Sequence, residues 1–288
     1  MKIDKNFKGG EPLLYLVATP IGNLKELSPR AIDILSNSDY IACEDTRNTR
    51  QLLSFFNTHK ELFSLREHNE IQTSEYLIKL LKEGKKISYV SDAGYPSISD
   101  PGYLLVNECL KNNVKVSVVN GSSAFLSALI PSGIITNHFL FYGFLKSNEN
   151  EASEELKSLV AEKYTLIFYE SPHRIQNTIQ MMFNILGDRK AVIARELTKI
   201  NEEFIRGSLN ELMNLDYSTI KGEIVIVVDG LREENKQFTD EEIFIKYRLL
   251  VDKGLSNKDA TEILSTFFNI NKNKIKSLIL SKKDLNKF

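Results

Sequence analysis

Residues able to do polar chemistry gather in four short segments: TPIGNL (19–24), CEDTRNT (43–49), SDAGYPSISDPG (91–102) and NGSSA (120–124). Each follows an apolar, β-rich run. The stretch from 90 to 102 packs two Gly, two Pro, three Ser and two Asp into one connection. A loop of that length inside a compact domain is functional or disordered as a rule, and its tight apolar flanks argue against disorder. Gly22, Gly94 and Gly121 let backbone approach a ligand closely. Ser122 and Ser123 open a helical pattern, where hydroxyls and free N–H groups can hold a carboxylate or another polar group. Familiar alternatives are missing. The chain has no G-x-G-x-x-G, no G-x-x-x-x-G-K-[ST], no H-E-x-x-H and no G-x-S-x-G, which removes support for dinucleotide, P-loop, zinc-protease and nucleophile-elbow chemistry. His59, His68, His138 and His173 are scattered, and no metal site is expected.

The segments need a scaffold that brings them together. Strand-like runs (LLYLVAT, DYIAC, LFSL, KISYV, VKVSVV) alternate with helical patterns up to about residue 120. That alternation predicts parallel strands joined by right-handed crossovers, which gathers the loops after the strands at one edge. In SPRAIDILSNS, Ser28 is the expected N-cap and Pro29 the first helical residue. Beyond Asn120 come HFLFYGFL, TLIFYE, KAVIAREL, EEFIRG and GEIVIVV. The short link TKIN between KAVIAREL and EEFIRG suits an antiparallel hairpin, so the second sheet is expected to be mixed. The fold class expected is α/β: an N-terminal α/β domain over 12–120, a second α/β domain over 121–232 and a small helical domain over 236–288. In that last part Thr239 and Glu242 have capping-box spacing, and Ala260, Ile263, Leu264 and Phe267 are expected on one helix face. The chain carries a net charge of −1, yet residues 236–288 hold 11 Lys+Arg against 7 Asp+Glu. A basic helical end on an acidic body is either a nucleic-acid foot or a solvated lysine face. Cys43 and Cys109 sit in apolar runs without zinc or redox spacing, as buried thiols of a reducing compartment would. No apolar run approaches the roughly 18 residues of a membrane span, and the run at 13–18 is too short for a signal-peptide core. A cytoplasmic location and no membrane partner are expected.

Seven motifs in order, YLVATPIGNLKELSPRAIDIL, IACEDTRNTRQLL, YVSDAGYPSISDPGYLLV, NGSSAFLSALIPSG, FYGFL, FYESPHRI and ARELTK, together resemble the ribosomal RNA small-subunit methyltransferase I family. That family belongs among the tetrapyrrole-methylase-like enzymes that use S-adenosylmethionine. The resemblance covers residues from about 13 to 229. It implies methyl transfer to the ribose 2′-oxygen of a decoding-centre cytidine in 16S rRNA, within the 30S subunit. It also implies a homodimer whose methyl donor lies between the two α/β domains. By resemblance the donor pocket is assigned to Pro20, Gly22, Asp92, Ala93, Gly94, Ile98, Ser122, Ser123 and Ala124.

A ribose hydroxyl needs a proton acceptor. Glu170 and Glu196, at the ends of expected strands, are favoured as catalytic residues, with Lys199 and Glu44 as further candidates. The structural alternative is that such acids cap helices or pair with Arg174 and Arg195. Arg47, Arg50 and Arg174 are candidate phosphate contacts, joined by Lys272, Lys274 and Lys276 of the basic tail. Two other readings stay open: a methyltransferase of the same fold acting on a corrin-type macrocycle, and a helix-turn-helix regulator that senses a small ligand.

Overall fold

The computed structural model describes residues 5–6, 13–232, 238–268 and 270–285. The chain divides into two compact units, Met1–Arg232 and Glu233–Phe288. The expected domain limits at 12 and 236 lie outside the described residues.

In the first unit, Leu13–Val17 (β1), Tyr40–Cys43 (β2), Glu61–Ser64 (β3), Ile87–Val90 (β4) and Lys115–Val119 (β5) form one sheet in the order β3-β2-β4-β1-β5. All of its neighbours pair in parallel. The crossovers are the helices Pro29–Asn37 (α1), Thr46–Phe55 (α2), Glu70–Lys82 (α3) and Tyr103–Lys111 (α4). Strand side chains alternate between two cores. Leu14 and Leu16 pack with Leu77, Leu105 and Cys109 of α3 and α4. Val17 packs with Ala31, Leu35 and Leu53 of α1 and α2. Coverage on both faces is why the inner strands β1, β2 and β4 read as apolar runs, while the edge strands β3 and β5 stay partly exposed. Both cysteines are buried and free. Burial raises both thiols, Cys109 up to about 12, which keeps them unreactive. Ser28 caps α1 through Ala31 N–H at 3.1 Å, with Pro29 opening the helix as the sequence predicts.

The chain leaves β1 toward the β2 edge and leaves β4 toward the β5 edge. The two connections pass one another on opposite faces of the sheet, α1 on one and α4 on the other, so the loops after the neighbouring strands β1 and β4 diverge to either side of a crevice at their carboxyl ends. The two loops are tied at its base: Thr19 N–H donates to Gly94 O at 2.9 Å and Gly94 N–H to Thr19 O at 3.1 Å. Tyr95 adds a tie to the third loop, its hydroxyl accepting from Gly121 N–H at 3.2 Å.

The far end of the 91–102 loop is fixed by Glu70. Its Oε1 accepts from the N–H groups of Gly102 (2.9 Å), Leu104 (2.9 Å) and Leu105 (3.4 Å), satisfying the first turn of α4. Tyr89, fully buried, donates to Pro101 O at 2.7 Å beside it. Glu70→Ala is expected to cost about 2–3 kcal/mol, the worth of a charge-assisted hydrogen bond left unmade in a buried place. Glu70→Gln keeps an acceptor and should lose about half of that. Urea midpoints of the two variants check both values.

Phe139–Phe144 (β6), Thr165–Glu170 (β7), Lys190–Arg195 (β8), Glu203–Ser208 (β9) and Ile224–Val228 (β10) form the second sheet, ordered β6-β7-β10-β8-β9. It is mixed as expected: β6 and β7 are parallel, β10 is antiparallel to β7 and β8, and β8–β9 is the antiparallel hairpin. Glu149–Ser158 (α5), Ile175–Leu186 (α6) and Leu209–Met213 (α7) cover one face. The last helix is not among the sequence expectations, although Ser208 and Glu211 form a reciprocal capping box at its start. The other face carries the short helix Ala124–Leu129, and against it pack Ile21 and Ala93 from the loops of the first sheet. The two sheets therefore share one core at the crevice.

The second unit consists of Asp240–Asp252 (α8), Asn257–Phe268 (α9) and Lys272–Leu285 (α10) around Ile243, Tyr247, Leu264, Ile275 and Leu278. The Thr239–Glu242 capping box is present. The buried stripe of α9 is Ala260, Leu264 and Phe268, while Ile263 and Phe267 are 45% and 63% exposed. This corrects the expected face. The core is spaced at i, i+4, i+8, and the i+3 positions lie outside it. Among the described residues no helix is long and apolar enough to cross a membrane.

Candidate active site

A cavity of about 440 Å³ occupies the crevice between the sheets. Asp92, Ala93, Gly94, Ile98, Ser123 and Ala124 of the expected donor pocket line it. The second sheet supplies the opposite wall through Phe144, Tyr169, Ile224 and Val225. Phe141 and Phe144 meet Tyr169 edge-on at 5.0 and 5.5 Å, which makes that wall stiff and apolar. Burial, opposed by a backbone hydrogen bond from Phe125, drives the Tyr169 hydroxyl up to about 12.

The other three expected residues stand elsewhere. Pro20 lines a second cavity. Ser122 donates its hydroxyl to Glu26 Oε2 at 2.7 Å. Gly22 is pressed against the second sheet's loop: a Cβ there would lie 2.6 Å from Lys199 Cγ and 2.8 Å from Thr198 Oγ1. Gly121 likewise serves chain against chain, since its Cβ would lie 2.9 Å from Ala18 O. Of the three glycines, Gly94 alone lines the large cavity, with φ +79°.

Two buried hydroxyl oxygens in these loops, Ser97 Oγ and Ser123 Oγ, have no hydrogen-bond partner among the described residues. An orphaned buried hydroxyl costs about 1–3 kcal/mol. Ser123 belongs to the cavity wall, but its oxygen is buried within that wall, so a polar ligand would satisfy it once the side chain turns outward. The loop stores backbone strain as well, with Ser97 at φ +70° and Ser99 at φ +61°.

Three carboxyl groups meet at the cavity wall: Glu44, Asp92 and Asp100. Asp92 is held in place, Oδ1 accepting from Asp45 N–H at 3.2 Å and Oδ2 from Asn48 Nδ2 at 2.7 Å. Burial, then the charges of Glu44 and Asp92, push Asp100 up to about 7, against a hydrogen bond from Ser91. Burial and Asp92 also raise Glu44. Asp100 was not among the residues read from the sequence. It lies in the long polar loop, but its closeness to Glu44 depends on β2 and β4 being neighbours, which no local pattern reveals.

The favoured acids have other work. Glu170 reaches the cavity wall, yet its buried carboxylate accepts from Ser171 N–H at 2.7 Å and Thr178 Oγ1 at 2.6 Å, with Arg174 Nε 3.8 Å away. Glu196 is not in the wall. It bonds Lys199 Nζ at 2.9 Å and accepts from Glu223 N–H at 3.3 Å. The Lys199 hydrogen bond holds Glu196 below the ordinary carboxylate range. Burial works to lower Lys199, but its bonds to Glu196 and Glu223 outweigh that and raise it, so it stays charged. With Asn23 N–H donating to Thr198 Oγ1 at 3.0 Å, this group latches the first loop to the second sheet.

Arg47 pairs with Asp45 at 2.6 Å and holds that carboxyl well below its usual range. Arg50 is exposed, with no ion pair among the described residues. Arg174 donates to Lys146 O at 2.8 Å. In the second unit Lys272 pairs with Glu262 at 2.9 Å, while Lys274 and Lys276 are exposed.

A parallel sheet and a mixed sheet with a shared cavity at the loop edge define the class of the tetrapyrrole methylases. The family model for Tetrapyrrole (Corrin/Porphyrin) Methylases matches residues 13–213. The fold is shared with the uroporphyrin III C-methyltransferase of Thermus thermophilus (TM-score 0.55, 15% identity, 76% of this chain and 97% of that one). It is also shared with a diphthine synthase (TM-score 0.58, 14% identity, 75% and 89%). A protein of Bacillus subtilis named ribosomal RNA small subunit methyltransferase I is 40% identical over 278 residues, covering 94% of both chains. One of the same name from Halalkalibacterium halodurans is 47% identical over 222 residues, covering 77% of both. The chain belongs to the ribosomal RNA small subunit methyltransferase I family.

Proposed function

We propose that this chain transfers a methyl group from S-adenosylmethionine to the ribose 2′-oxygen of a decoding-centre cytidine in 16S rRNA, acting in the cytoplasm as a homodimer on the small ribosomal subunit. The observation that carries the reading is the cavity between the two sheets, with Asp100 in its wall beside Glu44 and Asp92, where burial and those two charges push its carboxyl up to about 7.

The cavity fits the donor. Gly94 presents backbone without a side chain, and Ser123 offers an unpaired hydroxyl. The aromatic wall and the carboxylates of Asp92 and Glu44 favour a flat, cationic ligand. When bound, S-adenosylmethionine supplies a methyl carbon on a positively charged sulfur. Asp100 then takes the proton that the ribose hydroxyl gives up, since a base near neutral pKa is half free at neutral pH and still accepts a proton readily. Asp92, fixed by Asn48 and Asp45 N–H, positions the neighbouring wall. The Asn23–Thr198 hydrogen bond ties the first loop to the second half of the cavity, and orientation of this kind can supply much of the acceleration of a displacement. Arg50, Arg174, Lys274 and Lys276 are assigned to phosphate contacts, with Arg47 and Lys272 needing to exchange their carboxylate partners first.

The test uses small subunits from cells lacking this gene, with labelled methyl donor. Label is expected on one cytidine ribose, read as a linkage that resists alkaline cleavage. Label on a base, or on an added corrinoid and not on the subunit, would overturn the reading.

A further inference from the structure

Asp92 also lines the second cavity, of about 290 Å³. Its other walls include Pro20 and Leu24 from the first loop and Asn48, Gln51 and Phe55 from α2. Positions 48, 51 and 55 share one face of the helix, whereas the core side of α2 is Thr49 and Leu53. Phe55 meets Phe56 edge-on at 5.0 Å but is 56% exposed, and Leu24 is 37% exposed, so most of the aromatic ring lies outside the core. Gln51 has no side-chain hydrogen bond among the described residues. Asn48 gives one N–H to Asp92, which leaves its carbonyl oxygen free to accept. An aromatic face beside free amide groups is the chemistry that holds a splayed-out nucleobase, by stacking and by hydrogen bonds to its edge.

We infer that this second cavity takes the base of the nucleotide being methylated, turned out of its stack, with its ribose at Asp92. The inference rests on the reading of the chain as a ribose methyltransferase. Base and ribose are joined by a single bond. A ribose at Asp92, the residue common to both cavities, puts its base within reach of the second cavity while the large cavity holds the donor. Arg50, one residue from Gln51 and exposed, supplies a cation at the same helix for the flanking phosphate.

Phe55→Ala, Phe55→Trp and Gln51→Ala test this, with unmethylated small subunits and S-adenosylmethionine as the reagents. Both side chains are exposed, so the melting temperature should stay with the wild type. Phe55→Ala is expected to lower kcat/KM for the subunit by about 5- to 150-fold, the effect of losing one base–aromatic stack. Phe55→Trp should restore most of it, and Gln51→Ala should lower it about tenfold. Donor affinity by calorimetry should be unchanged in all three. Values within twofold of wild type for both alanine variants would overturn the inference and leave the proposed reaction standing. A wild-type protein that methylates no small-subunit ribose would overturn both.

Discussion

Asp100→Asn is expected to lower kcat for methyl transfer by about 10²- to 10⁴-fold, the usual worth of a positioned proton acceptor. The wild-type kcat/KM should fall tenfold per pH unit below about 7, because protonated Asp100 cannot accept a proton. The variant should lose that limb and show a low, flat profile. Stability should move the opposite way. Asp100 releases its proton near pH 7 when folded and near 3.8 when not, so between those values the folded chain binds more protons. Ionising Asp100 beside Glu44 and Asp92 thus weakens the fold as pH rises through that window, fully so above about 7. Asparagine carries no such charge, so the variant should melt above wild type at pH 8 and converge with it toward pH 4. A residue with a merely structural role would lose stability and activity together. An active Asp100→Asn protein with an unchanged pH limb would assign the base elsewhere.

The sequence made the scaffold legible where local chemistry and tertiary packing agree. Ser28 and Pro29 start α1 because a hydroxyl cap and a fixed φ serve that position in any context. The inner strands of the first sheet read clearly because both faces are covered, and the short link TKIN suited the hairpin that is present. The loops after those strands were legible as a site for the same reason, since parallel topology gathers them. What failed depends on distances between segments. Gly22 reads as a ligand glycine, yet it gives room to Lys199 and Thr198, 176 or more residues along the chain. Glu196 reads as a strand-end base, but its backbone turns to φ +50° and aims the carboxylate at Lys199. Glu170, read as a strand-end base, does reach the cavity wall, while its partners Ser171 and Thr178 could not be read from strand position alone. In α9, leucine and phenylalanine at both i+3 and i+4 spacing left two faces open, and packing against Ile275 and Leu278 selected one.

Gly94→Val is expected to weaken S-adenosylmethionine binding by more than about 100-fold in calorimetry, about 2.8 kcal/mol. Gly94 sits at φ +79°, where a branched side chain is strained, and it lines the large cavity at the point where Thr19 clamps its backbone on both sides. A single carbon does fit, 3.6 Å from Ile21 Cγ2 and 3.8 Å from Ser122 O. Gly94→Ala should therefore stay folded, at a cost of about 1–2 kcal/mol for the left-handed backbone, and bind the donor more weakly than wild type but better than the valine variant. Ser123→Ala separates binding from folding. Without ligand it removes a buried hydroxyl that has no partner, so the free protein should be as stable as wild type or more so. With ligand it removes a hydrogen bond, so affinity should drop about tenfold. Opposite signs in one variant belong to a ligand contact, because a hydroxyl that served only the fold would cost stability when removed. If folded Gly94→Val and Ser123→Ala proteins both bind the donor as wild type does, the donor lies outside this cavity.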